Sequence, residues 1–178
     1  MTAAAPADYA VEVAAALCRR FEGFYALPYL CPAGVPTIGY GATYYPDGRA
    51  VKLTDSAITK DQAEAMLLHS IRTEYLPAVL RLCQGIPTPE ALAAIIDFTF
   101  NLGETKLAGS TLRKRINSRR WGDVPAELKK WILANGRPLR GLILRRGAEA
   151  DLWGGALPPP EQDNNPPPRL RLSYELGG

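Results

Sequence analysis

Between residues 24 and 48 the chain changes character, and few architectures can hold what it becomes there. Six of these residues are Phe or Tyr, Gly and Pro recur throughout, and the β-branched residues come in short runs. That composition predicts short strands and tight turns, a small sheet. Tyr45-Pro46-Asp47-Gly48 reads as a turn with a mechanism, because Pro presets φ and Gly tolerates positive φ. Both flanks read as helix, so the fold class is α+β and mostly helical. At 178 residues, with 47% apolar and 22% charged side chains, the chain can bury a core without disulfides or metal. One compact domain with room for two lobes around a cleft is expected.

The helical flanks carry their own punctuation. Val11, Ala14, Ala15, Leu17 and Cys18 recur at helical spacing over Tyr9 to Phe21, and Gly23 stops that helix. Thr59 and Gln62 form a capping box before a face of Ala63, Met66, Leu67, Ser70 and Ile71. Pro77 should kink or end that helix, with a further segment running to Cys83. Thr88-Pro89 is an N-cap followed by proline at the first helical position, opening an apolar helix that Gly103 stops. A short helix is expected from Ser110 to Asn117, and another from Val124 to Leu133 that turns Leu128, Trp131 and Ile132 inward and ends at Asn135-Gly136. Pro138 opens a last helix to about Leu152, with Leu139, Leu142, Ile143 and Ala150 on its inner side. From Gly154 the composition shifts to a Pro-rich extended tail, giving a folded unit over 1–155 and a tail over 156–178.

Charge is distributed unevenly. Residues 1–105 sum to −4, residues 106–146 to +10 and residues 147–178 to −3, which returns the net +3. A basic half of this kind steers toward polyanions, although solvated helix faces are the commoner meaning of a charge run. No recognised DNA- or RNA-binding motif accompanies it, so no nucleic-acid partner is expected. No apolar run is long enough for a transmembrane helix, and the first residues lack the basic start of a secretory signal. Cys18, Cys31 and Cys83 are too few and scattered for a disulfide scaffold, and His69 is the only histidine, so no metal site and no cofactor are expected.

One acid stands out. Glu22 lies at the end of the first helix with Phe21, Phe24 and Tyr25 about it. An apolar setting disfavours a carboxylate and raises its pKa, as a general acid near neutrality requires. Taken alone, Glu22 reads better as a helix-end partner of Arg19 or Arg20. Cys31 follows after eight residues and Thr37 after five more, opening Thr37-Ile38-Gly39-Tyr40-Gly41. Cys31 could equally be a small buried hydrophobe, and Thr37 a β-branched strand residue. Cys18 precedes Glu22 by four residues on the same helix face, which leaves open a Cys18–Cys31 disulfide that would switch the thiol off.

The ordered set Glu22, Cys31, Thr37, running into Thr37-Ile38-Gly39-Tyr40-Gly41 after Arg20-Phe21-Glu22-Gly23, resembles the active-site segment of the phage-type lysozymes, or endolysins, of glycoside hydrolase family 24. Leu53-Thr54 through Thr59–Glu64, Phe100-Asn101-Leu102-Gly103 with Leu107–Leu112, and Arg145-Arg146 with Glu149-Ala150 and Leu152-Trp153 resemble further blocks in the family's order. The likeness covers about Ala14 to Trp153. It implies a lysozyme-like two-lobed fold, with a small antiparallel sheet in the N-terminal lobe and a helical C-terminal lobe. It also implies a muramidase that hydrolyses the β-1,4 bond between N-acetylmuramic acid and N-acetylglucosamine in bacterial peptidoglycan during host cell lysis. By position, Glu22 becomes the general acid, Cys31 takes the second catalytic position and Thr37 orients water. Asn101, Tyr40 and Arg140 become substrate-side residues, with Arg140 approaching the back of Glu22; tyrosines in a small sheet are otherwise usually packing. The resemblance further implies a monomer that stays in the host cytoplasm until released to the wall.

Two departures bear on the chemistry. The usual glycosidase plan has two carboxyl groups, and here the second position is a thiol. That keeps two rivals in view: a lytic transglycosylase using Glu22 alone, and a non-catalytic wall-binding protein. Many members carry His after the second glycine of the Thr-Ile-Gly-Tyr-Gly stretch, where this chain has Ala42; a lost structural contact is expected there.

Overall fold

The structure, a computed structural model, describes residues 4–157. Helix α1 (Ala4–Glu22) buries Ala10, Val11, Ala14, Ala15, Leu17 and Cys18, one face at helical spacing. Gly23, at φ 72°, ends it as the sequence predicts. Strands β1 (Tyr25–Leu30) and β2 (Pro36–Gly39) then form an antiparallel pair with Tyr29 opposite Thr37 and an irregularity between Tyr25 and Tyr29. The sheet is small because tight turns and short bridges, Ile38 to Ala42 and Tyr44 to Ala50, use up the remaining backbone. Ile38, Val51 and Met66 make a separate small core beneath it.

Gly39 shows why the sheet segment needs glycine. Its φ is +65°, and a Cβ there would meet the Ala63 Cβ at 3.1 Å. The sheet therefore presses directly on α2 (Lys60–Ser70), whose Thr59–Gln62 capping box forms as expected. Pro77 neither ends nor breaks the chain's helical course. Residues Ile71–Tyr75 widen into a π-turn, with the Leu76 N–H bonding Ile71 O, and α3 (Leu76–Leu82) continues with Pro77 in its first turn. The widened turn accommodates a proline that lacks an N–H and crowds the preceding carbonyls.

Helix α4 (Pro89–Leu102) is the axis of the helical lobe. Thr88 caps it, Pro89 sits in its first turn, and eight of the nine positions from Ala91 to Thr99 are buried, all but Leu92. It packs against α1, α3 and α8 (Arg140–Trp153). An unexpected α5 (Glu104–Gly109) precedes α6 (Thr111–Asn117), which Ser110 caps. Two expectations need correction. Helix α7 (Val124–Leu128) stops short of Leu133, and Asn135-Gly136 is the tip of a hairpin between β3 (Leu133–Ala134) and β4 (Arg137–Pro138). Both tip residues have positive φ, 50° and 75°, the primed turn that Asn-Gly favours. The inner face of α8 is also different: Ile143 and Leu144 are about half exposed, while Arg145, Arg146 and Glu149 are buried. The Pro-rich segment from residue 158 onward lies outside the described residues.

Candidate active site

The buried charges of α8 explain the inversion. Arg145 binds Asp97 of α4 through two parallel bonds of 2.8 Å, Nε to Oδ2 and Nη2 to Oδ1. Its remaining Nη1 reaches Glu22 Oε1 at 2.5 Å. The rings of Phe21 and Phe100 stand 5.5 and 5.9 Å from the guanidinium carbon. A planar fork of five donors suits this arrangement and an ammonium would not. Burial alone would push the Asp97 carboxyl up, but the adjacent guanidinium prevails and holds it below its ordinary value. Arg145 is held well above its own ordinary value, the Asp97 charge outweighing the cost of burial.

Glu22 therefore ends α1 against a cation instead of inside an apolar ring. Phe24 and Tyr25, expected to enclose it, are 38% and 42% exposed. Its partner is neither Arg19, which pairs with Glu64, nor Arg20, which lies over the Phe21 ring. Nor is it Arg140: that residue is exposed at the start of α8, and Arg145 makes the contact expected of it, a turn and a half further on.

On the sheet side, Cys31 is half-buried where β1 gives way to a turn; its N–H bonds Val35 O and its O accepts from Gly34 N–H. Burial works against the thiolate. Hydrogen bonds from the backbone of Val35 and Ala33 and from the Thr37 hydroxyl outweigh it, and the thiol is held below its ordinary value. Thr37 is buried, and its Oγ1 also donates to Val35 O at 3.0 Å, so its single proton is shared between that carbonyl and the sulfur. On β1, opposite Thr37, burial and the charges of Tyr25, Glu22 and Cys31 push the Tyr29 phenol up to about 12.

All three cysteines are free. Cys18 is in the core, its Sγ donating to Asp97 Oδ1 at 3.2 Å, and burial raises its thiol well above the ordinary value. Asn101, at the end of α4, accepts at its Oδ1 from Nη2 of buried Arg146 at 3.0 Å, leaving the amide donors for another partner. Tyr40 is 4% exposed and its ring stands 5.9 Å from that of Phe24. Behind Asn101, Arg146 meets Glu149 at 2.6 Å. Burial and the nearby Asp97 carboxylate push Glu149 well above the ordinary range. Sequence reasoning missed Asp97, whose signal is an acid inside an otherwise apolar helix.

A family model for phage lysozyme matches residues 19–149. The chain belongs to the phage lysozyme family. The enzyme is 38% identical over 145 residues to the endolysin of Acyrthosiphon pisum secondary endosymbiont phage 1, spanning 79% of this chain and 94% of that one. It is 31% identical over 135 residues to the SAR-endolysin of Escherichia phage Mu, covering 75% and 74% of the two chains. Among solved structures, the endolysin from Escherichia coli O157:H7 phage FAHEc1 superposes with a TM-score of 0.72 at 30% identity, covering 83% of this chain and 94% of that chain. By family the enzyme is a lysozyme-type glycoside hydrolase, a peptidoglycan-degrading endolysin.

Proposed function

We propose that the enzyme hydrolyses the β-1,4 bond between N-acetylmuramic acid and N-acetylglucosamine, with Glu22 as general acid. Glu22 gives its proton to the glycosidic oxygen as the bond from the anomeric carbon to that oxygen breaks. Arg145 then holds the carboxylate that remains, so charge develops against a cation already in place. Water attacks the anomeric carbon and passes its proton to the Cys31 thiolate, with the Thr37 hydroxyl orienting it. A thiol held below its ordinary value supplies more of that base near neutrality. Asn101 offers its amide to an N-acetyl group. The observation that carries the reading is the Glu22 carboxylate held at the end of α1 by buried Arg145, with Cys31 and Thr37 on the adjoining two-stranded sheet.

The acidified thiol favours hydrolysis over a transglycosylase route that needs no base for water. The same reading has the enzyme working as a monomer on the wall, after a stage in the host cytoplasm, without nucleic acid. No described helix is long and apolar enough to cross a membrane. The test is turbidity loss of outer-membrane-permeabilised cells with wild type, Glu22→Gln, Cys31→Ser and Cys31→Asp. Glu22→Gln should fall by roughly 10²–10⁴-fold, Cys31→Ser should be impaired, and Cys31→Asp should keep activity. Mass spectrometry of the digest should show reducing muramic ends. A 1,6-anhydro product would replace hydrolysis by transglycosylation, and an unimpaired Glu22→Gln would remove the proposed acid.

A further inference from the structure

Beside the proposed catalytic centre lies an open cavity of about 470 Å³, a volume that takes in part of the solvent in front of it. Four aromatic side chains, Tyr40, Tyr44, Tyr75 and Phe100, line it together with Ser70 and Glu74. Phe100 is shared with the catalytic side: Tyr75 meets it edge-on at 5.1 Å, and the Arg145 guanidinium stands 5.9 Å from the same ring. The charge of Glu22 reaches Tyr75 as well, adding to the burial that raises its phenol.

Two features set its chemistry. The first is the π-turn over Ile71–Tyr75, which places Glu74 and Tyr75 on the cavity wall; such turns interrupt an α-helix at a cost and recur at functional sites. The second is the sign of the lining. Glu74 is the only carboxyl and no Lys or Arg is present among the lining residues; Glu74 is exposed at the rim, and its charge acts on the neighbouring Tyr75 phenol. Ala42, also on the wall, contributes only a methyl. A carboxyl at the rim of a ring-lined cavity is complementary to a cation that is small, polyvalent in hydrogen bonding and attached to a larger body.

We propose that this cavity is a subsite for a primary ammonium group carried by the peptidoglycan substrate, with Glu74 as its counter-ion and the tyrosine rings as its walls. The inference rests on the muramidase reading and adds to it a preference among wall chemistries. Two parts of the polymer can carry such a group: a glucosamine that has lost its acetyl, or a free amine on the stem peptide.

The experiment compares rates on purified sacculi in three forms. One is untreated, and one has every free amine acetylated. The third is stripped of stem peptides and then partly de-N-acetylated, so that amines remain only on sugars. Wild type should cleave the amine-bearing forms roughly two- to fivefold faster, in kcat/KM, than the acetylated form. In Glu74→Gln that ratio should fall to about one by the same reasoning. Preference for the untreated form alone assigns the amine to the peptide; preference for the third form assigns it to the sugar. Equal rates on all three by wild type, or a ratio unchanged in Glu74→Gln, would overturn the subsite and leave the muramidase standing. If wild type cleaves none of them, the muramidase reading itself has failed.

Discussion

Replacing Asp97 with Asn tests the buried core of the site with almost no change of shape. Asp97 is fully buried, and Arg145 is only 4% exposed through its side chain. The substitution removes the charge that pairs with a desolvated guanidinium and turns an amide N–H₂ toward one of the two Arg145 N–H donors. Removing one partner of a buried pair costs about 3–5 kcal/mol. Glu22 still holds one corner of Arg145, so the lower end, about 3 kcal/mol, is the expected loss. For a chain of this size that corresponds to a fall in Tm of roughly 6–12 °C, read by far-ultraviolet circular dichroism at pH 7. The pH dependence follows from the direction of the Asp97 shift. Its folded value is lowered, so its contribution is fully present above the unfolded carboxyl value near 3.9 and is lost as pH falls through the lower folded value. The gap between wild type and Asp97→Asn should therefore be constant from about pH 7 to 5 and close below about pH 4. A Tm change within about 2 °C, or a gap that widens on acidification, would refute the ion-pair account.

Three further outcomes follow. Native-state alkylation with iodoacetamide should modify Cys31 alone, with a pH midpoint below that of a free thiol, because Cys18 and Cys83 are buried and raised, Cys83 to about 11; peptide mass spectrometry reads the sites. Arg145→Ala should lose most lytic activity, whereas Arg140→Ala should stay within about twofold of wild type, since an exposed side chain with no part in the site leaves catalysis alone. Gly39→Ala should lower stability by about 1–2 kcal/mol, from its positive φ and its 3.1 Å approach to Ala63, and chemical denaturation with an unchanged m-value would record it.

What could be read from the sequence was local. Thr59 with Gln62, Thr88 with Pro89, and Gly23 each specify a helix end through bonds spanning three or four residues, so neighbours in the chain suffice. Glu22, Cys31 and Thr37 were legible for the same reason, lying on adjoining elements at a fixed spacing. Helix α8 was not. Apolar periodicity assumes that charges face water, yet here Arg145 and Arg146 are buried because Asp97, Asn101 and Glu22, distant in sequence, meet them. With the inner face taken by ions, Ile143 and Leu144 turn outward, and the contact expected of Arg140 belongs to Arg145. The end of α7 was lost to a coincidence of spacing: Leu128, Trp131 and Ile132 fit a helix, but Asn135-Gly136 fits a hairpin tip better. The π-turn had only Pro77 as a signal, and proline does not say whether a helix will stop or widen.

Glu22 and Arg145 stand 123 residues apart along the chain. During synthesis, at about 5–20 residues per second, roughly 6–25 s pass between the two leaving the peptidyl-transferase centre. Throughout that interval the acid is in place and its guanidinium does not yet exist, so a ribosome-bound intermediate has no assembled centre. Stalled nascent chains ending before residue 145 should be unable to clear a suspension of permeabilised cells, because the cation that holds Glu22 is not yet made.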